Sequence, residues 1–104
     1  MVWAWVKVEF EDFDWDEAKQ SSNLKKHEID FDDAIGIFER PVLRRRSDRG
    51  SETRYLAVGT FESRVVAVAY TERGEVCRVI SARKARPNER RAYRQAEAQS
   101  AAEG

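Results

Sequence analysis

Residues 64–82 read Arg64-Val65-Val66-Ala67-Val68-Ala69-Tyr70, then Thr71-Glu72-Arg73-Gly74-Glu75, then Val76-Cys77-Arg78-Val79-Ile80-Ser81-Ala82. Two runs rich in valine, isoleucine and tyrosine flank a short polar segment with a glycine, the pattern of a β-hairpin. Two more such runs precede them, at 42–46 and 53–60, and Phe61-Glu62-Ser63 links the second to the third. Links this short leave no room for a parallel crossover, so the four segments predict an antiparallel meander.

Upstream of the meander the period lengthens. Phe31, Ala34, Ile35 and Phe38 fall at i, i+3, i+4 and i+7 of a helix, with Asp30 placed to cap it and Pro41 to end it. Asp14, with Glu17 three residues on, predicts the capped start of another helix running to about His27. Earlier still, Val6, Val8 and Phe10 alternate with Lys7, Glu9 and Glu11, which predicts a half-buried strand that Met1 to Trp5 extends. Downstream, Pro87 suits the first turn of a surface helix reaching about Ala98. The expectation is an α+β domain: an antiparallel meander with two N-terminal helices and a C-terminal helix. It fills residues 1–99 as one domain, with 100–104 as a frayed tail.

A chain of 104 residues, 41% hydrophobic and 37% charged, has the composition of one soluble domain with a modest core. Charge interrupts every apolar run well short of the roughly 18 residues that span a membrane, and the first residues lack the apolar core of a leader. No membrane association and a cytoplasmic location are therefore expected. Cys77 is the lone cysteine, which rules out an intramolecular disulfide and reads as core filler. Nothing in the motifs asks for a metal or other cofactor.

The formal net charge of zero hides an asymmetry. Residues 1–40 hold 11 acids and 5 bases, whereas residues 41–104 hold 8 acids and 14 bases. Arginine supplies 14 of the 19 basic residues, and its planar fork suits phosphate better than the point charge of lysine. In a meander, Arg54 at the opening of one strand, Arg73 at the close of another and Arg83 at the end of a third become neighbours. Converging guanidiniums would bind a phosphodiester and stabilise its transition state without a metal. Strict alternation sets Arg78 on the opposite face from Arg83 unless the strand bulges. The alternative is that these arginines form surface ion pairs with Glu52, Glu72, Glu75 and Glu89, each worth about 0 to 1 kcal/mol.

His27 is the lone histidine and the default general acid or base, since an imidazole titrates near 6.5; equally, it suits a helix C-terminus as a cap. Lys19, Asn23 and Lys26 share one helical face, which either follows a phosphate backbone or is simply solvated. Arg44-Arg45-Arg46, with Arg49 beyond, suits RNA or an acidic protein partner equally. Trp3, Trp5 and Trp15 are placed to stack bases or to fill the core.

Phe13-Asp14-Trp15-Asp16, Lys19, Asn23, Lys26-His27, Phe31 and Ala34 resemble the opening of the BrnT toxins. So do Glu52 with Arg54 and Gly59, Tyr70-Thr71 with Arg73, Ile80-Ser81-Ala82-Arg83 with Ala85, and Glu89-Arg90 with Tyr93. The likeness runs from Phe13 to Tyr93. It implies a fold similar to RelE and the barnase-like ribonucleases, and a metal-independent endoribonuclease that arrests growth by cutting RNA. It also implies a BrnA-like antitoxin that covers the toxin and reaches promoter DNA within the toxin-antitoxin assembly. Carried over, Arg54, Arg73 and Arg83 bind phosphate, Lys26 and His27 sit beside them, His27 is the acid-base group and Glu52 the second choice. The dozen residues before Phe13 and the basic run at 44–46 depart from the family pattern. A non-catalytic module that binds protein or nucleic acid is the competing reading.

Overall fold

The computed structural model describes residues 2–103. Ten elements follow one another, beginning with strands β1 (Ala4–Val6) and β2 (Asp12–Trp15), then helices α1 (Glu17–His27) and α2 (Phe31–Ala34). A 3-10 segment, Ile35–Glu39, leads to β3 (Val42–Arg46), β4 (Tyr55–Phe61), β5 (Arg64–Arg73) and β6 (Val76–Lys84), and α3 (Pro87–Glu103) closes the chain. The predicted meander forms as β3 to β6, every neighbouring pair antiparallel. The expected α+β class holds, but the sheet is six-stranded and mixed, in the order β1-β3-β4-β5-β6-β2.

The single first strand predicted at 6–10 is corrected. β1 pairs antiparallel with β3 at one edge of the sheet, and β2 pairs parallel with β6 at the other. Residues 7–10 cross between the edges. Val8 and Phe10 pack into the core on the way, Phe10 meeting Phe38 and Tyr70 edge-on with centroids 5.4 and 5.7 Å apart. The alternation thus recorded burial on one side rather than a ladder. Met1, which the reading included in that strand, lies outside the described residues.

The predicted start of α1 moves by two residues. Asp14 and Trp15 belong to β2, and Asp16 is the cap, its carboxylate accepting from the backbone N–H of Ala18 and Lys19. Asp30 caps α2 as expected, accepting from Asp32 N–H. α2 tightens after one turn into the 3-10 segment. α3 continues to Glu103 through residues read as a tail, and Gly104 lies outside the described residues.

The sheet separates two apolar layers. On one side Ile29, Phe31, Ala34, Ile37 and Phe38 pack on Val42, Ala57, Val66, Val68, Tyr70, Cys77, Val79 and Ala82. On the other, Tyr93 of α3, flanked by the small side chains of Ala92 and Ala96, packs on Leu43, Leu56, Val58, Val65 and Trp5. Trp15 stands edge-on against Phe31 and Trp5 lies tilted against Tyr93, so both of these tryptophans fill core. Cys77 is fully buried, and burial pushes its thiol up to about 12, which leaves it protonated and inert.

One irregularity decides the site. Ala69 pairs with Ser81 but Tyr70 pairs with Val79, so Ile80 has no partner and β6 bulges there. A bulge shifts side-chain alternation by one residue. Cys77, Val79 and Ala82 consequently share the α2 side, while Arg78, Ser81 and Arg83 share the α3 side.

Candidate active site

α3 packs on β3 and β4, and the β5/β6 part of the same sheet face carries the arginines. Leu56 and Ala67 belong to the α3-side layer, which fixes the direction of their neighbours by alternation. Arg54, two residues before Leu56, follows onto that side, because the β3–β4 ladder continues through Ser47 N–H to Arg54 O at 2.8 Å. Thr71 and Arg73 follow from β5, and Arg78 and Arg83 from β6 as partners of Thr71 and Ala67. Between them lie the small side chains of Ala69, Thr71 and Ser81. The result is a shallow floor rimmed by Arg54, Arg73, Arg78 and Arg83.

The hairpin joining β3 to β4 presents Glu52 and Arg54. Asp48 accepts from Arg46 Nη2 at 2.6 Å and from Arg54 N–H at 3.2 Å, Arg49 and Glu52 form a backbone bridge, and Gly50 supplies the left-handed turn at φ +58°. Thr71 Oγ1 donates to Thr53 O at 2.7 Å, which holds the hairpin against β5. Glu52 then accepts from Arg54 Nε. This bond is the main reason its carboxyl lies below the ordinary range, and the charges of Arg73 and Lys19 lower it further. Glu52 is thus an ionised acceptor among three cations. The hydrogen bond that Arg46 donates likewise holds the Asp48 carboxyl low.

Arg83 is half-buried and forked onto Glu89 of α3, with Nη1–Oε1 2.8 Å and Nη2–Oε2 2.9 Å. Burial alone raises the Glu89 carboxyl, but the hydrogen bonds from Arg83 and from Arg86 N–H outweigh it and the net shift is down. Nη1 also reaches Lys84 O at 3.3 Å, so the Nε edge of the fork is the part left for an incoming oxyanion. Arg73 is exposed and, among the described residues, has no ion-pair partner. Arg78, set aside by simple alternation, pairs with Asp14 of β2 at 3.3 Å on this same face. The adjacent apolar pair Val79-Ile80 is the trace the bulge leaves in the sequence.

The other nominated residues lie apart from this floor. His27 ends α1 and is half-buried. The two grooves it lines hold Lys19, Ser22, Asn23, Lys26 and Ile80 on one side and Lys26, Arg64 and Lys84 on the other, with none of Arg54, Arg73 or Arg83. Asn23 is not solvated: its amide bonds Ile29 O, Ala82 O and Ala82 N–H at 3.0, 2.9 and 3.1 Å, satisfying the β6 edge where β2 stops pairing. Lys19 and Lys26 remain exposed beside it.

Arg44, Arg45 and Arg46 do not form one patch, because a strand sends them to alternate faces. Arg44 lies 4.3 Å over the Tyr55 ring and donates to Tyr70 Oη and Glu72. Burial pushes that Tyr70 hydroxyl up to about 12. Arg45 lies 5.1 Å over Trp3, and Arg46 is tied to Asp48 and Thr53. Of the surface pairings expected for the sheet arginines, Arg54–Glu52 forms, Arg83–Glu89 forms but on a buried carboxylate, Glu72 pairs with Arg44 instead, and Glu75 has no ion-pair partner among the described residues.

Among the described residues, no helix is long and apolar enough to cross a membrane. None of the curated proteins matches the chain. The family described as "Ribonuclease toxin, BrnT, of type II toxin-antitoxin system" matches residues 15–89, most of the length. The match takes in Glu52, all four rim arginines and Glu89, so the floor described above lies within it. The chain belongs to the BrnT family of ribonuclease toxins, and with that membership comes an antitoxin partner.

Proposed function

We propose that this chain is a cytoplasmic, metal-independent endoribonuclease with the fold of the RelE-like and barnase-like ribonucleases, and that a BrnA-like antitoxin covers its arginine floor. The observation that carries the reading is the placement of Arg54, Arg73 and Arg83 on one open sheet face with ionised Glu52 among them. A ribose 2′-hydroxyl gives its proton to Glu52 and attacks the adjacent phosphorus. The bond to the 5′-oxygen breaks and that oxygen receives, through solvent water, the proton Glu52 took, leaving a cyclic phosphate and a 5′-hydroxyl end. The guanidiniums of Arg54 and Arg73 stabilise the added charge on the pentacoordinate phosphorus, an effect worth several kcal/mol when donors are held in place beforehand, while Arg83, farther along β6, holds the neighbouring part of the RNA strand. Glu52 is preferred to His27 as the base because it is bonded to Arg54 and feels Arg73, whereas the grooves lined by His27 include no rim arginine. Lys19 and Lys26, exposed on α1 outside the floor, are phosphate contacts for the RNA that runs beyond it. Promoter DNA is reached only through the antitoxin.

Purified protein with end-labelled RNA in excess chelator tests this. Cyclic-phosphate ends, lost by at least tenfold in Arg54→Ala, Arg73→Ala and Arg83→Ala, are expected. Intact RNA would instead favour the non-catalytic binding module, which the Arg54–Glu52 and Arg83–Glu89 pairs also fit.

A further inference from the structure

We infer that Arg78 is a further substrate-binding residue of this site, gripping an RNA phosphate beside the one under attack. The inference rests on the ribonuclease reading above. Three observations place it. The bulge at Ile80 turns Arg78 to the face that carries Arg83. Its cross-strand partner Thr71 is joined through Oγ1 to Thr53 O, so Arg54, Thr71 and Arg78 form one row across three adjacent strands. With strands about 4.8 Å apart, the Arg54 and Arg78 backbones lie roughly 10 Å from each other, within joint reach of one strand of RNA. Arg83 stands farther along β6, roughly 13 Å from Arg78, too far for both to close on a single phosphate oxygen in their present poses.

The third observation is the character of its ion pair. Asp14 stands opposite Arg78 on the parallel strand β2, 3.3 Å from Nη1, with half of its side chain exposed. Exposed pairs of this kind are weak, so a phosphate with two charged oxygens displaces the carboxylate readily. This differs from Arg83, whose partner Glu89 is 2% exposed and stays in place. Asp14 therefore holds Arg78 on the floor's face but toward the β2 edge in the free protein, and yields it to the floor on binding.

Cleavage kinetics of wild type, Arg78→Ala, Arg78→Lys and Asp14→Asn, followed over a salt series, test this. Arg78→Ala should raise KM about 3- to 10-fold with kcat within about twofold, and should flatten the slope of log affinity against log salt by about 0.7, the loss of one phosphate contact. Arg78→Lys should recover the slope because the charge is kept. Asp14→Asn should bind RNA as tightly as wild type or more so. Equal impairment of Arg78→Ala and Asp14→Asn would make the pair purely structural and overturn the inference. So would an Arg78→Ala protein with unchanged KM and slope. Wild-type protein that leaves RNA intact overturns the ribonuclease mechanism first and this inference with it, whereas normal cleavage by both wild type and Arg78→Ala removes the inference alone.

Discussion

Arg83 gives both terminal amino groups of its guanidinium to Glu89, and the same carboxylate accepts the backbone N–H of Arg86 at 2.8 Å. One buried group therefore orients an arginine of the floor and caps α3. Glu89→Gln keeps the shape and loses the charge, which should cost about 1 to 3 kcal/mol, a range lowered because Arg83 remains 21% exposed. The folded carboxyl lies below its ordinary 4.5, so its stabilisation is complete above that value and is lost as pH falls through the lowered folded value. Unfolding measured against pH should show this acid-side loss in wild type and less of it in Glu89→Gln. An identical acid limb in both would refute the assignment.

Asn23 should prove structural. Asn23→Asp turns an amide that donates to two carbonyls into an acceptor-only carboxylate, and the expected loss is about 2 to 4 kcal/mol. Denaturant titration measures it. A variant as stable as wild type would return Asn23 to the solvated face that helical spacing suggests.

The glycines at 36 and 59 should respond differently to alanine. A Cβ on Gly59 would come within 2.8 Å of Ile37 Cβ and 3.2 Å of Val42 Cγ1, both in the closed core layer. Gly59→Ala is expected to cost about 1 to 3 kcal/mol through overpacking. A Cβ on Gly36 has its three nearest atoms in the ring of Phe61, the first at 2.6 Å, and that half-buried ring lines an open groove into which it can turn. The thermal midpoint should drop more for Gly59→Ala, and the reverse order would contradict the packing described.

Within the basic run, Arg44→Ala and Arg46→Ala should leave RNA cleavage within about threefold of wild type, because both guanidiniums are already engaged by protein partners. Exposed Arg73, with no such engagement, should lose at least tenfold on the same substrate. Comparable losses at all three would restore the run at 44–46 as an RNA contact.

The sequence declared the meander, because residues 42–82 combine β-branched runs with short polar links, and strands read this way landed within a few residues of β3 to β6. Asp30 and Pro41 likewise bounded α2 and its 3-10 extension. Two features stayed hidden for physical reasons. Asp12 to Trp15 is four residues long and finds its partner β6 more than sixty positions away, so local pattern gave it to the helix that follows. The bulge at Ile80 uses neither glycine nor proline, so alternation counted straight through it and misplaced Arg78. Arg54, Arg73 and Arg83 were nominated through the family resemblance, and it is the bulge that carries Arg83 to the face of the other two. Glu89 was read as a surface partner, and its burial became visible only with α3 in place.

The crossing of residues 7–10 from one sheet edge to the other has a consequence for synthesis. β1 needs β3, and β2 needs residues 76–79 of β6, so the first segments to be made are among the last to find their places. Pairings this distant in sequence are slow to close. A growing chain therefore carries Asp14 long before Arg78 exists to meet it, and the floor that would cut RNA stays unfinished until β6 has been made.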